Sequence, residues 1–243
     1  MTTLYRRIAF SDHPLVRALR KIYRGITQFS VPAPRFVFRP LLAIYISIRA
    51  VYYFLVRVFI CEPFFKSYCT QYGRNLHTGV FIHWIQGQGK LIVGDDVWID
   101  GKCSIVFAAR YVESPTLRIG NNVGIMHNCE LTVGREIVIG NNVMIASNVV
   151  IFDSPGHPTE PALRRGGGPA LLDDVKAIHI EDDVWIGRGA VIFPGITIGR
   201  GSVVATGAIV MSNVPPYVVV AGSPARQVAR LTDNEEESET SRT

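Results

Sequence analysis

The sequence predicts a mainly β protein, a solenoid of six-residue repeats, preceded by a basic, amphipathic helical segment. Three observations predict this architecture. An aliphatic residue recurs every six positions through the second part of the 243-residue chain. In the first 66 positions, apolar residues recur with a helical spacing instead. The charge divides at the same place: residues 1–66 hold 11 Lys+Arg and 2 Asp+Glu, net +9, whereas residues 67–243 hold 14 and 18, net −4.

We therefore expect three regions: a basic helical region at 1–72, a repeat domain at 73–231, and a disordered acidic tail at 232–243. A composition of 48% hydrophobic and 19% charged residues excludes a wholly disordered chain. The basic excess does not indicate nucleic-acid binding, because it is confined to the first region, where the charges are interleaved with large aliphatic residues.

The first predicted helix covers Pro14 to Phe29. Its apolar residues fall on one face: Leu15, Val16, Leu19, Ile22, Tyr23, Ile26 and Phe29. Its polar and basic residues fall on the other: Arg17, Arg20, Lys21, Arg24 and Gln28. Such a helix can lie in the interface of an anionic bilayer, or it can pack on its own domain with a solvated basic face.

The second predicted helix covers Leu41–Ile60, whose 20 residues reach about 30 Å, enough to cross the hydrocarbon of a bilayer. Arg49 lies near its middle, where a charge costs roughly 2.5–3.5 kcal/mol on insertion scales. A helix half-sunk in the interface or a re-entrant hairpin is therefore favoured over a clean span. We expect peripheral or monotopic attachment to an anionic membrane surface.

The repeat is clearest from Ile180, where the hexads read IEDDVW, IGRGAV, IFPGIT, IGRGSV and VATGAI. Each opens with an aliphatic residue and carries a small or aliphatic residue at its fifth position. Each hexad is expected to form one short strand and a turn, and three hexads to close a triangular coil with the opening residues inside. A helix is excluded because six is not a multiple of 3.6 and glycine is too frequent.

Three segments resemble the hexapeptide-repeat acyltransferases: Gly156–Pro158 (GHP), Ile180–Val204, and Val214–Arg226 (VPPYVVVAGSPAR). The similarity covers roughly residues 73–231 and is to the galactoside, maltose and xenobiotic O-acetyltransferase branch and to sugar O-acetyltransferases of surface-polysaccharide pathways. It implies a left-handed parallel β-helix, a homotrimer with active sites between subunits, and acetyl-CoA as the acyl donor. The handedness comes from this resemblance alone.

The repeat is interrupted between Ile151 and Ile180, which lie 29 positions apart where an unbroken coil needs six. About 23 residues therefore leave the solenoid, and His157 lies near their departure. Imidazole is a suitable base near neutral pH, and the resemblance places the general base at His157. Asp153, Glu160 or a backbone carbonyl would fix its tautomer, and we favour Asp153.

In the resembled family, an asparagine one coil before the catalytic histidine hydrogen-bonds near the reacting groups. The hexad frame places Met126 there and the local match places Asn128; we favour Asn128 because its amide can donate a hydrogen bond. His127 is an alternative donor.

The resemblance assigns six residues to CoA: Trp185, Gly187, Thr206, Gly207, Arg226 and Arg230. Trp98 occupies the same hexad position as Trp185, so a corner-packing role for this tryptophan is an alternative. Two departures weaken the phosphate-binding part of the pattern. Ser212 replaces the family's lysine, and Ala229 replaces its second C-terminal arginine, with Arg230 displaced by one.

The sequence thus predicts a CoA-dependent O-acetyltransferase that acts on a sugar hydroxyl of a surface-glycan or lipid-linked precursor, at the cytoplasmic face of the inner membrane. One alternative is an acetyltransferase for a soluble sugar, antibiotic or amino sugar in the cytoplasm, and another is a non-catalytic β-helix scaffold. No metal is expected, because the histidines do not reproduce the three ligands of a γ-class carbonic anhydrase. Cys103 and Cys129 are expected to be small buried residues.

Overall fold

The computed structural model describes residues 11–232. The predicted acidic tail at 232–243 lies outside these residues except for its first position. The chain divides into two compact units after Ala50. The second unit therefore begins earlier than the predicted boundary at 72.

The helical elements are α1 (Pro14–Thr27), α2 (Arg35–Val56), a π-helical turn (Arg57–Cys61), α3 (Glu62–Tyr68), α4 (Pro161–Arg165) and a 3-10 turn (Leu172–Asp174). Both predicted N-terminal helices form, and α2 begins earlier than expected and includes Pro40. None of the described side chains of α1 or α2 is buried. The continuous helical stretch Arg35–Tyr68 is long and apolar enough to cross a membrane, by length and composition alone. Membrane association stays a prediction.

Helix α3 belongs to the second unit because it packs on the first coil of the solenoid. Phe65 is only 2% exposed, belongs to the solenoid core, and lies 4.6 Å from the ring of His83. The buried carboxylate of Glu62 accepts a hydrogen bond from Nδ1 of His77 at 3.0 Å and lies 3.5 Å from both Arg57 and Lys66. The apolar side chain and the charge cluster together attach α3 to the solenoid.

Within residues 11–232, twenty short strands form three sheets. Sheet A contains β1 (Gln71–Tyr72), β4 (Lys90–Val93), β7 (Thr116–Ile119), β10 (Glu136–Ile139), β13 (Ile178–Ile180) and β16 (Thr197–Ile198). Sheet B contains β2 (His77–Thr78), β5 (Trp98–Ile99), β8 (Gly124–Ile125), β11 (Met144–Ile145), β14 (Trp185–Ile186), β17 (Val203–Val204), β19 (Val218–Ala221) and β20 (Arg226–Arg230). Sheet C contains β3 (Trp84–Gln86), β6 (Ser104–Phe107), β9 (Glu130–Val133), β12 (Val150–Phe152), β15 (Val191–Ile192) and β18 (Ile209–Val210).

Consecutive strands from β1 to β18 pass from sheet A to B to C and then back to A, so three strands make one coil. All neighbouring strands are parallel except β19 and β20, which form an antiparallel pair at the end of sheet B. The predicted three-sided solenoid is confirmed. Its parallel sheets are consistent with a left-handed β-helix.

The hexad pattern fills the core as predicted. Opening residues such as Ile186, Ile192 and Ile198 are buried, and so are the fifth-position residues. Cys103 and Cys129 are both buried free thiols, as expected. Ser202 is a buried polar exception whose hydroxyl donates to the carbonyl of Pro215 at 2.6 Å and accepts from the N–H of Val218 at 3.2 Å. Its hydrogen bonds offset the cost of burying a polar group.

Candidate active site

The insertion leaves the solenoid at the corner between sheets C and A. Ile139 pairs with Ile180, 41 positions later, whereas Ile180 pairs with Ile198 after only 18. The difference of 23 residues matches the length predicted from the sequence. The coil resumes in register at β13, so the insertion does not disturb the repeat.

The two ends of this insertion are held together. The backbone N–H of Lys176 donates to the carbonyl of Asp153 at 2.9 Å, and that of Ala170 donates to the carbonyl of Gly156 at 3.2 Å. The side chains of Ala170 and Val175, in the returning part of the insertion, are buried. The insertion is therefore a closed loop, 153–177, with two tiers of hydrogen bonds at its neck.

His157 lies at the outer rim of this neck. Gly156 before it adopts a φ of +78°, a left-handed conformation that favours glycine, and its N–H donates to the hydroxyl of Ser154 at 3.3 Å. The imidazole is exposed, and no hydrogen bond to it occurs within residues 11–232. The exposed carboxylate of Glu160, the second predicted orienting group, is not bonded to it either. Both ring nitrogens are thus available to a ligand.

The structure gives Asp153 a role different from the predicted one. Its side chain is 0% exposed and lies at the corner between β9 and β10. One carboxylate oxygen accepts the backbone N–H of Gly134, and the other accepts those of Arg135 and Glu136 at 2.7 and 2.8 Å. The carboxylate holds the previous coil's turn and does not contact His157. Burial raises the pKa of the Asp153 carboxyl above its ordinary value, and the three N–H donors oppose that rise.

Asn128, the favoured assisting residue, lies at the corner between sheets B and C. It adopts a φ of +60°, and its amide donates to the side-chain oxygen of Asn148 on the next coil at 2.8 Å. Thr132, four residues later, pairs with Phe152, where the insertion departs. Four strand residues span about 13 Å. One chain therefore holds Asn128 at the opposite end of sheet C from the point where the loop of His157 begins.

The two alternatives at this corner differ in their contacts. Nδ1 of His127 lies 3.1 Å from the hydroxyl of Ser147 and 3.8 Å from a carboxylate oxygen of Asp100, and the ring is exposed. Met126 is exposed and offers only a thioether. Of these two residues, only His127 has a polar atom supported by neighbours.

Trp185 projects outward from sheet B and is 53% exposed. Its strand neighbours across the sheet are Met144 on one side and Val203 on the other. This exposure leaves most of the indole uncovered, which favours a ligand-binding role over corner packing. Trp98 occupies the same row two coils beyond Met144 and stacks with Arg57, whose guanidinium lies 5.9 Å from its ring.

The two glycines predicted to bind CoA, Gly187 and Gly207, are favoured at their positions for different structural reasons. A Cβ on Gly187 would lie 2.6 Å from the backbone nitrogen of Thr206 and 2.7 Å from the carbonyl oxygen of Val204, so the close approach of two coils requires a glycine there. Gly207 has a φ of +70° and open space around it. Thr206 and Gly207 are exposed at a corner, where a ligand can reach them.

The C-terminal arginines lie on β20. Arg226 lines a cavity of about 120 Å³ together with Ser212, the residue that replaces the family's lysine. Arg230 pairs with Val218 at the other end of the strand. The structure therefore brings Arg226 and Ser212 to one site, whereas Arg230 lies about 13 Å further along the strand.

Two residues near His157 were missed by sequence reasoning. The hydroxyl of Ser154 supports Gly156, and the guanidinium of Arg164 contacts the segment after His157. Neither belongs to a motif, and only the fold of the loop brings them there. Across residues 11–232, no group of three or more His, Cys, Asp or Glu side chains could hold a metal ion.

Comparison with known proteins gives matches along the solenoid. A family model described as hexapeptide repeat of succinyl-transferase matches residues 177–212. The galactoside O-acetyltransferase of Escherichia coli (strain K12) is 33% identical over 152 residues, which cover 63% of this chain and 63% of that protein. The chain thus spans less than two thirds of that relative's length.

Two solved structures are similar as well. A galactoside acetyltransferase in complex with coenzyme A is 31% identical, with a TM-score of 0.50 over 64% of this chain and 68% of the other. An N-acyltransferase from Bacillus cereus, in complex with dTDP-4-amino-4,6-dideoxyglucose and coenzyme A, has a TM-score of 0.59 at 21% identity, over 74% of this chain and 94% of the other. The latter shows a common fold.

Proposed function

Because the chain belongs to the family of hexapeptide-repeat acyltransferases, we propose that it is an acetyl-CoA-dependent O-acetyltransferase acting on a sugar hydroxyl. One observation carries the proposal: the longest interruption of the repeat within residues 11–232 is a closed loop that presents an exposed His157 at its neck, with no hydrogen bond to its ring from any described residue. The coenzyme A bound by the similar galactoside acetyltransferase supports the donor.

In the proposed reaction, His157 acts as the general base. Its imidazole takes the proton of the sugar hydroxyl as that oxygen attacks the thioester carbonyl of acetyl-CoA. The carbon–sulfur bond then breaks, and the proton passes from the imidazolium to the departing thiolate. The acetyl group moves directly from sulfur to oxygen, so no acyl-enzyme forms.

The proposed CoA site uses sheet B and the C-terminal hairpin. The exposed indole of Trp185 would pack against the pantetheine arm, with Thr206 and Gly207 at the neighbouring corner. Arg226 would bind a phosphate of the nucleotide from the small cavity that it shares with Ser212. Arg230 would assist from the far end of its strand.

A homotrimer is part of this proposal. Asn128 lies about 13 Å along sheet C from the departure of the His157 loop, too far to bond the same reacting group directly. The site would be complete if a neighbouring subunit placed its own corner between sheets B and C, which carries Asn128, beside this loop. His127 lies on the same corner and would be offered with it.

We also propose that the protein attaches to the cytoplasmic face of the inner membrane, and that its acceptor is a surface-glycan or lipid-linked precursor. The apolar face of α1 is exposed, as shown by Leu19, Ile22 and Ile26. A basic face lies opposite, which suits an anionic lipid surface. In α2, Arg49 lies 5.6 Å from the ring of Tyr45, which favours a position near the interface, where its charge can reach water.

The enzymatic proposal is tested by release of the CoA thiol from acetyl-CoA with a panel of galactosides and other sugars. His157→Asn should lower the turnover number by about 100-fold or more. His179→Asn, which changes an exposed histidine of sheet A, is the matched control and should retain wild-type turnover. Equal turnover in wild type and His157→Asn would reject His157 as the general base. Binding of coenzyme A without turnover on any sugar would favour the alternative of a non-catalytic β-helix scaffold.

The membrane proposal is tested by co-sedimentation of the full chain with phosphatidylglycerol vesicles. Replacing Arg17, Lys21 and Arg24 by glutamine should weaken binding and its dependence on salt. Replacing Arg165 and Arg188, exposed arginines of the second unit, should leave binding unchanged. A full chain that stays in the supernatant without detergent would contradict the proposal and favour a soluble acceptor.

A further inference from the structure

We infer that Arg164 is a positioning residue that fixes the backbone on which His157 is carried. The inference rests on the proposed function only for what His157 does; the contact itself lies within the loop. Arg164 lies in the short helix α4, seven residues after His157. It belongs to none of the motifs that the sequence reveals.

The contact is a clamp on the two residues that follow His157. Nη1 of Arg164 donates to the carbonyl of Pro158 at 3.3 Å and to that of Thr159 at 3.0 Å. The backbone N–H of Arg164 also donates to the carbonyl of Glu160 at 3.0 Å. Three successive carbonyls after His157 therefore point towards one residue. Hydrogen bonds from a charged donor are stronger than neutral ones.

The backbone on the other side of His157 is held independently. The N–H of Gly156 donates to the hydroxyl of Ser154, and its carbonyl accepts from Ala170. Pro158 is buried, its ring fixes its own φ, and it restricts His157 to extended backbone conformations. The neck thus fixes the chain before His157, and Arg164 fixes it after.

This arrangement explains how an exposed and unbonded imidazole can still act as a base. No described side chain holds the ring of His157, and the buried carboxylate of Asp153 is directed to three backbone N–H groups of another turn. The position of the ring must then come from its backbone. A displacement of about 1 Å at a reacting group can cost about 100-fold in rate. Arg164 supplies the part of this restraint that the neck does not.

Arg165 provides a matched control in the next position. It carries the same charge on the same helix and is also exposed. Within the part of the chain that the structure describes, its side chain makes no hydrogen bond or ion pair. A general effect of charge on the loop would appear on replacing either arginine, whereas an effect of losing the clamp would appear only on replacing Arg164.

The experiment compares Arg164→Met, Arg164→Lys and Arg165→Met in the full-length protein. With ¹³C-labelled histidine, the ring signal of His157 is assigned by its absence in His157→Asn. Arg164→Met should broaden or split this signal, Arg165→Met should leave it unchanged, and Arg164→Lys should restore it in part, because an ammonium can reach a carbonyl as a point charge. In the transfer assay, kcat should fall about 10- to 100-fold in Arg164→Met with KM for acetyl-CoA unchanged.

The structural and functional outcomes are separable. An unchanged His157 signal together with wild-type kcat in Arg164→Met would overturn the inference. Broadening of the signal in both arginine variants would also overturn it, since charge alone would then be responsible. If the wild type transfers no acetyl group to any sugar tested, the proposed function fails, and the ring signal still decides whether Arg164 positions His157. Unaltered circular dichroism of Arg164→Met would confirm that the solenoid is intact.

Discussion

Replacing Asp153 by Asn tests whether this residue supports the fold or the chemistry. The carboxylate is fully buried and accepts three backbone N–H groups, from Gly134, Arg135 and Glu136. An amide of the same shape has one oxygen and one NH₂ group. In its best orientation the oxygen keeps the Arg135 and Glu136 donors, and the NH₂ group then faces the N–H of Gly134.

The size of the effect follows from this count. The two bonds that remain lose their charge, at about 1 kcal/mol each, and the Gly134 N–H loses its acceptor in a buried place, at about 1–3 kcal/mol. The free energy of unfolding should therefore fall by about 3–5 kcal/mol. Because burial raises the pKa of Asp153, the comparison is made at pH 8, where the higher pH favours the ionised carboxylate over the neutral acid.

The assay is urea unfolding followed by tryptophan fluorescence, alongside acetyl transfer. Glu160→Gln changes an exposed carboxylate of the same loop and should alter stability by less than about 0.5 kcal/mol. The reasoning would be refuted if Asp153→Asn kept wild-type stability and lost as much transfer activity as His157→Asn. That result would restore Asp153 as the partner of the base.

Three further predictions follow from individual contacts. Gly187→Ala should lower the free energy of unfolding in urea by about 1–3 kcal/mol, because the new Cβ would lie 2.6 Å from a backbone nitrogen of the next coil. Gly124→Ala is the control, since its Cβ would meet its nearest neighbour at 3.5 Å. Equal losses of stability in the two variants would contradict the reasoning. Burial lowers the pKa of His83, so the stability linked to its neutral form is complete above about pH 6.5 and is lost as the pH falls; the decrease in Tm from pH 7.5 to 5.5 should be smaller in His83→Phe. Arg226→Ala should raise KM for acetyl-CoA about tenfold with Tm unchanged, and an unchanged KM would remove Arg226 from the CoA site.

The predictions that succeeded depend on a strictly local pattern. The six-residue period fixes which residues point inward, so Ile186, Ile192 and Ile198 could be placed in the core from their spacing alone. The break between Ile151 and Ile180 fixes the length of the insertion in the same way, because the coil must resume in phase.

The structure differs from the sequence-based predictions at residues whose side chains bond to another coil. Asp153 contacts residues 17 to 19 positions earlier, and Asn128 bonds Asn148, 20 positions later. Gly187 was assigned to CoA by its motif, yet its small size is required by the backbone of the next coil. A residue's own hexad does not reveal such neighbours, since they depend on which coil stacks beside it and in what register.

The sequence by itself determined the repeat, the three-sided coil, the helical N-terminal segment and the loop that carries His157. Only the tertiary structure decided that Asp153 holds a turn, that α3 belongs with the solenoid, and that Arg164 clamps the chain after His157. The physical reason is that periodic burial is encoded residue by residue along the chain. Hydrogen-bond partners, in contrast, are chosen by the geometry of loops and stacked coils after folding.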